Sequence, residues 1–216
     1  MEIIPAIIPK SAEDLKEKLE TLKGLADTVH IDLVVDEPFA KHILQKSSGR
    51  AVRFASRAQP DILKMCFASG FSEFIFEAHL MIPHPDEHIA ELVKDGFSRI
   101  LVQVESLSAE AFAELIHEWS GAVEVGAVLK IDTPLSSIDS FAHELKTVQL
   151  MSIAEIGAQG RPFDARVLER ISALHAKYPH LTIAVDGGVN KKNADKLVAA
   201  GATRLVAGSA LKEFYG

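Results

Sequence analysis

Thr182-Ile183-Ala184-Val185-Asp186-Gly187-Gly188-Val189-Asn190 and, one amphipathic segment later, Thr203-Arg204-Leu205-Val206-Ala207-Gly208-Ser209 decide how the chain is read. Each stretch opens on a short aliphatic run, as expected of a parallel strand covered on both faces. Each run ends on a glycine turn. Between them Asn190 stands at a helix cap position, Ala194, Leu197 and Val198 recur at helical spacing, and Gly201 stands where that helix closes. The unit is strand, turn, helix, strand, which is the building block of α/β architecture.

Outward from this segment the same unit recurs. Near-continuous apolar runs occupy Ile3–Ile8, Thr28–Val34, Phe74–Met81, Arg99–Val104, Val123–Lys130 and Thr147–Ile153, which with Thr182–Asp186 and Thr203–Ala207 makes eight candidate strands. Amphipathic segments lie between them. Ser11, followed by Glu13 and Asp14, reads as one helix cap, and Ser108, followed by Glu110, as another. Gly24, Gly70, Gly96, Gly121 and Gly201 read as the glycines that close helices. Eight alternations of strand and helix fit either a closed barrel or a doubly wound sheet, and periodicity alone does not separate them.

The 216 residues show no linker or shift in composition, so a single domain, 1–216, is expected, near the lower end of the roughly 200–250 residues of an α/β barrel. Two places break the rhythm. Asp36 to Arg57 is long and charged and reads as an extended loop after the second strand. After the eighth strand only Gly208 to Gly216 remain, so the last helix is expected to be shortened or missing. The outer face it would cover then needs another partner, which points to a homo-oligomer with Phe214 and Tyr215 near the contact.

Composition excludes several classes. A net charge of −7 argues against nucleic acid or an anionic membrane as a general partner. Met1-Glu2 is not the basic start of a signal peptide, and no run approaches the ~20 apolar residues of a membrane helix, so a cytoplasmic protein is expected. Cys66 is the single cysteine, which leaves no internal disulfide, and its apolar neighbours read as packing.

Chemistry concentrates at strand ends, where barrel enzymes place it. His30 and Asp32 are two apart and share one face of their strand. If that face is the lumen, they converge with His79 and Asp186, and two imidazoles with two carboxylates suit Zn, Mn, Fe or Co. Gly187-Gly188 and Gly208-Ser209 each follow a strand and direct backbone N–H groups at an anion, as in the phosphate sites of barrels. His42, His84, His88, His117, His143, His175 and His180 read as structural or surface histidines, and Trp119 as packing. Lys130 has three readings: an ion pair with Glu105 or Glu155, a phosphate contact, or a Schiff-base amine.

His30-Ile31-Asp32 with Asp36, Ala78-His79-Leu80-Met81 with Pro85, Thr133-Pro134-Leu135, Met151-Ser152-Ile153, Val185-Asp186-Gly187-Gly188-Val189-Asn190 and Val206-Ala207-Gly208-Ser209-Ala210 follow one another in the order of the ribulose-phosphate 3-epimerase family, which the chain resembles over nearly its whole length. The resemblance implies a single (β/α)8 TIM barrel and a metal-dependent epimerase of a ketopentose or ketohexose phosphate. It implies one divalent ion (Zn, Fe, Mn or Co) held by His30, Asp32, His79 and Asp186. Asp32 and Asp186 would be the acid/base pair for proton transfer beside a ketone. It also implies phosphate binding by Gly157, Gly160, Gly187, Gly188, Gly208 and Ser209, and substrate contacts from Met81, Gln103, Lys130 and Arg161. The chain departs from the family pattern at Ala6, Gln103 and Lys130 and in the loop Ala154–Arg161, where Arg161 is placed to meet a phosphate and Glu155 to oppose one. These departures keep two alternatives in view: a lyase of the same barrel group using Lys130, and a non-catalytic relative that binds a phosphorylated metabolite.

Overall fold

The computed structural model describes residues 1–9, 12–34, 70–157 and 159–215. The expected Ser11 cap, the 36–57 loop with Asp36 and His42, and Cys66 lie outside these residues. Eight parallel strands close on themselves in sequence order: β1 (Glu2–Ile7), β2 (Thr28–Val34), β3 (Ile75–Met81), β4 (Arg99–Gln103), β5 (Glu124–Leu129), β6 (Thr147–Met151), β7 (Thr182–Asp186) and β8 (Arg204–Ala207). The β1–β8 pairing, Ile4 opposite Val206, shuts the barrel. The choice left open by periodicity is therefore settled for the closed form. Each observed strand starts or ends within two residues of its expected run.

Among the described residues the outer layer contains α1 (Ala12–Leu22), α2 (Ile89–Lys94), α3 (Ala109–Trp119), α4 (Arg166–Lys177), α5 (Lys191–Ala200) and the five-residue α6 (Leu211–Tyr215). Its apolar stripes meet the strands in one continuous core that includes Leu15, Leu19, Phe76, Phe112, Phe141, Ile171 and Leu197. Phe112 and Phe141 stack at 4.7 Å. Trp119 packs at the edge of this core, as read. Ser108 caps α3 by accepting the N–H of Ala111, and Asn190 caps α5 in a reciprocal capping box with Asn193.

Two expectations need correction. β5 and β6 are not joined by an α-helix but by a 3-10 turn, Leu135–Ile138, and further turns; Pro134 and the Ser136-Ser137 pair favour turns over a long helix. Gly24, Gly70, Gly96 and Gly201 have positive φ, but Gly121 does not, and α3 ends on Ser120 in right-handed geometry. The bare outer face also finds a partner within the chain. Leu211 and Phe214 of α6 pack on the core, and the Tyr215 hydroxyl donates to the Ile3 carbonyl at 2.8 Å. Phe214 and Tyr215, expected near a contact between copies, thus also make contacts within the chain.

The lumen is layered. At the N-terminal end of the strands Arg99 bridges Glu77 (2.6 Å) and Glu124 (2.9 Å), Arg204 pairs with Glu2 (2.9 Å), and Thr28 and Thr147 donate to Glu2 and Glu124. Leu101, Val128, Met151 and Ile153 form a separate small apolar cluster. Above lies the polar group that faces the C-terminal mouth.

Candidate functional site

Register places this polar group. β2 and β3 pair so that His30 stands opposite Glu77 and Asp32 opposite His79, and β6 and β7 pair Met151 with Asp186. Side chains two apart on a strand share a face, so all of these point inward. One donor atom from each of His30, Asp32, His79 and Asp186 lies within 4.8 Å of the others. His30 and His79 are fully buried and Asp32 nearly so. The four residues singled out in the sequence are thus brought together.

Each imidazole is held from behind. His30 donates Nδ1–H to Glu77 Oε1 at 2.7 Å, which turns its Nε2 to the cluster. That Nε2 is buried, lies 3.3 Å from Asp32 Oδ1 and makes no directed hydrogen bond. A buried Nε2 aimed at two carboxylates and a second imidazole with no directed hydrogen bond is costly without a partner, and a divalent cation satisfies it once the ring is neutral. The donor set therefore fits a metal ion. His79 presents Nδ1, 3.1 Å from Asp32 Oδ1 and 3.7 Å from Asp186 Oδ2, while its Nε2 meets Gln103 at 2.8 Å.

The electrostatics separate the two aspartates. Burial raises the Asp32 carboxyl, but contacts with His30 and His79 override it and hold Asp32 well below the usual carboxylate range. Asp186 is pushed up to about 6, first by burial and then by the charge of Asp32. Burial lowers His30, yet Asp32 and Glu77 hold it well above an ordinary histidine.

Above the cluster opens a cavity lined by Asp32, Met81, Met151, Asp186, the two glycine turns, and Gly157, Gln159, Gly160 and Arg161. Gly187 has φ 107, and a Cβ there would come within 2.8 Å of Ile153, so the turn requires glycine. Ser152 fixes it by donating to the Gly187 carbonyl at 2.5 Å, and Asn190 and Asn193 donate to that of Gly188 at 3.0 Å. Gly157, Gly160, Gly188, Gly208 and Ser209 also line the cavity. Arg161 reaches its rim paired with Glu155 at 3.0 Å. Gln103 lies below the cavity, beside His79.

Lys130 does not line the cavity. Its link to Glu105 runs through the backbone N–H at 3.0 Å, and Thr133 donates to the same carboxylate oxygen. Reading the sequence missed Glu77, Gln149 and Gln159. Glu77 is two before His79 and Gln149 two before Met151, so their shared lumen face was available as a signal. Gln149 lies 3.4 Å from Asp186 Oδ2 and 3.5 Å from His79 Nδ1. Gln159 reaches back across a loop to the Ala6 carbonyl, 3.2 Å away, and no local pattern announces that.

The sequence profile of the ribulose-phosphate 3 epimerase family matches residues 2–212. The chain belongs to this family. Among its curated relatives is the ribulose-phosphate 3-epimerase of Bacillus subtilis, 31% identical over 218 residues, which cover 98% of this chain and 92% of that one. Another is the ribulose-phosphate 3-epimerase of Schizosaccharomyces pombe, 30% identical over 214 residues, covering 97% and 86%. Solved structures agree on the barrel: 3-keto-L-gulonate-6-phosphate decarboxylase from Vibrio cholerae superposes with a TM-score of 0.70 at 11% identity, covering 97% of this chain and 89% of that one. A 3-hexulose-6-phosphate synthase superposes with 0.66 at 19%, covering 98% and 92%. At such identities these two speak for the fold alone. No helix of the described residues is long and apolar enough to cross a membrane.

Proposed function

We propose that this chain is a metal-dependent 3-epimerase of a ketose phosphate. The observation that carries the reading is the pair Asp32 and Asp186, which enter one cluster from β2 and β7 at the floor of a cavity flanked by two glycine turns. Inverting a carbon beside a ketone needs a group that takes a proton from one face and another that gives one to the opposite face. Asp32 is held charged and suits the base; Asp186, raised, suits the acid, and in the reverse direction the roles exchange. His30, His79, Asp32 and Asp186 would hold the ion. When bound, the ion supplies positive charge for the oxygens that become negative as the proton leaves.

Substrate positioning falls to the cavity wall. The backbone N–H groups at Gly187-Gly188 and Gly208-Ser209 receive the phosphate, with Gly157 and Gly160 closing the third side and Arg161 at the rim. Met81 gives the sugar carbons an apolar contact. The lyase alternative needs an amine at the substrate, and no lysine stands among the described residues of the cavity wall.

Metal analysis and chelation test the proposal. The purified protein is expected to hold one divalent ion per chain, to convert ribulose 5-phosphate to its 3-epimer, and to lose that activity on stripping and regain it with Zn, Mn, Fe or Co. Undiminished activity after complete stripping would overturn it.

A further inference from the structure

The two histidines of the cluster are held by chemically different groups. Behind His30 stands Glu77, a carboxylate 2.7 Å from Nδ1. A carboxylate only accepts, so Nδ1 carries a proton throughout, and Nε2 offers its lone pair whenever the ring is neutral, as a metal ligand must be. Behind His79 stands Gln103, 4% exposed, with its amide nitrogen 2.8 Å from Nε2 and its own Oε1 buried without a partner. In this arrangement the amide donates to Nε2, and His79 keeps its proton on Nδ1, toward Asp32 Oδ1 at 3.1 Å.

That tautomer cannot ligate through Nδ1, the nitrogen that faces the cluster. A half-turn of the Gln103 amide exchanges nitrogen for oxygen at the same place. Oε1 then accepts an Nε2–H, loses its unpaired state, and leaves the Nδ1 lone pair free to point at Asp32 and Asp186. The net protonation of His79 is unchanged; only the nitrogen that carries the proton differs. We propose that Gln103 is a positioning residue for His79, an amide that serves both tautomers and turns over when Nδ1 becomes a ligand. This rests on the reading that the four residues hold a divalent ion. A carboxylate here would enforce one tautomer permanently and add a charge; an apolar side chain would support neither.

The test uses the full chain, stripped of metal and titrated with zinc against a chromogenic chelator, with 15N NMR of the histidine rings as a second readout. In the wild type the His79 proton is expected on Nδ1 before zinc and on Nε2 after it, while His30 keeps Nδ1–H throughout. Gln103→Met, similar in length and without an acceptor, is expected to weaken zinc binding 10–100-fold. Gln103→Glu, which restores an acceptor, is expected to recover most of that loss. A His79 proton that remains on Nδ1 in the zinc-loaded wild type would overturn the proposal without use of any variant. Gln103→Met that binds zinc as the wild type does would also overturn it while leaving the four-residue site intact. A wild type that binds no zinc, manganese, iron or cobalt would overturn the site reading and this inference together.

Discussion

Arg99 sits between two acids, and the pair shows how single residues set the stability of the lumen. It donates to Glu77 and to Glu124, and Glu124 also accepts from Thr147. Burial raises the Glu124 carboxyl, but Arg99 and then Thr147 hold it below its usual value. A carboxylate lowered in the folded state contributes stability above its unfolded pKa, about 4.3, and loses it as the pH falls through the folded value. Glu124→Gln is therefore expected to cost about 1–2 kcal/mol at pH 7, with a deficit that shrinks below about pH 4; denaturant unfolding at the two pH values checks this. The residue scale is also where the sequence was most legible. His30, Asp32, His79 and Asp186 stand out because charged or titratable groups inside apolar runs need a reason. Glu77 carried the same signal two positions before His79, yet its partners Arg99 and Arg204 lie on other strands and appear only once the barrel closes. Gln103 was visible as a departure from the family pattern, but what it does depends on the ring nitrogen it meets.

The unit that opened the sequence reading, β7 with its glycine turn and α5, shows why elements form where they do. Asn190 and Asn193 cap α5 reciprocally, and both side chains donate to the Gly188 carbonyl. The helix cap and the anion-facing turn are one hydrogen-bonded piece. Asn190→Ala is expected to cost about 1 kcal/mol and to lower the melting temperature by roughly 2–4 °C, measured calorimetrically. It is also expected to raise KM for the phosphosugar more than it lowers kcat, because it loosens the turn and spares Asp186. Strands were readable from the sequence because their helix-facing positions, such as Val29, Ile31 and Leu33 of β2, are apolar and buried. The β5–β6 connection was not: Ile138, Phe141, Ala142 and Leu145 are all buried and spaced like a helix face, while Pro134 and the serines decide for turns.

At the scale of the molecule, closure joins what the sequence keeps apart. Glu2 meets Arg204, and Ile3 meets Tyr215, only because β1 lies beside β8. The short last helix was legible from the nine residues after β8, and its intramolecular seat was not, since a hydroxyl reaching a carbonyl at the other end of the chain leaves no local pattern. Closure also gathers four groups that could hold a metal from three strands into one cluster, so a bound ion should stabilise the whole fold. Zinc at about 100 times its Kd adds roughly 2.7 kcal/mol, and the melting temperature is expected to rise by roughly 5–10 °C, with no rise in His30→Ala. Asp32 and Asp186 are proposed to take the C3 proton from one face and return one to the other, and solvent exchange reads this most directly. Metal-loaded protein is mixed with ribulose 5-phosphate in D2O and the C3 hydrogen followed by NMR. Exchange with formation of the 3-epimer is expected in the wild type, and no 3-epimer in Asp32→Asn or Asp186→Asn. Formation of the 3-epimer by either variant, or a metal-loaded wild type that exchanges no C3 hydrogen, would contradict these roles.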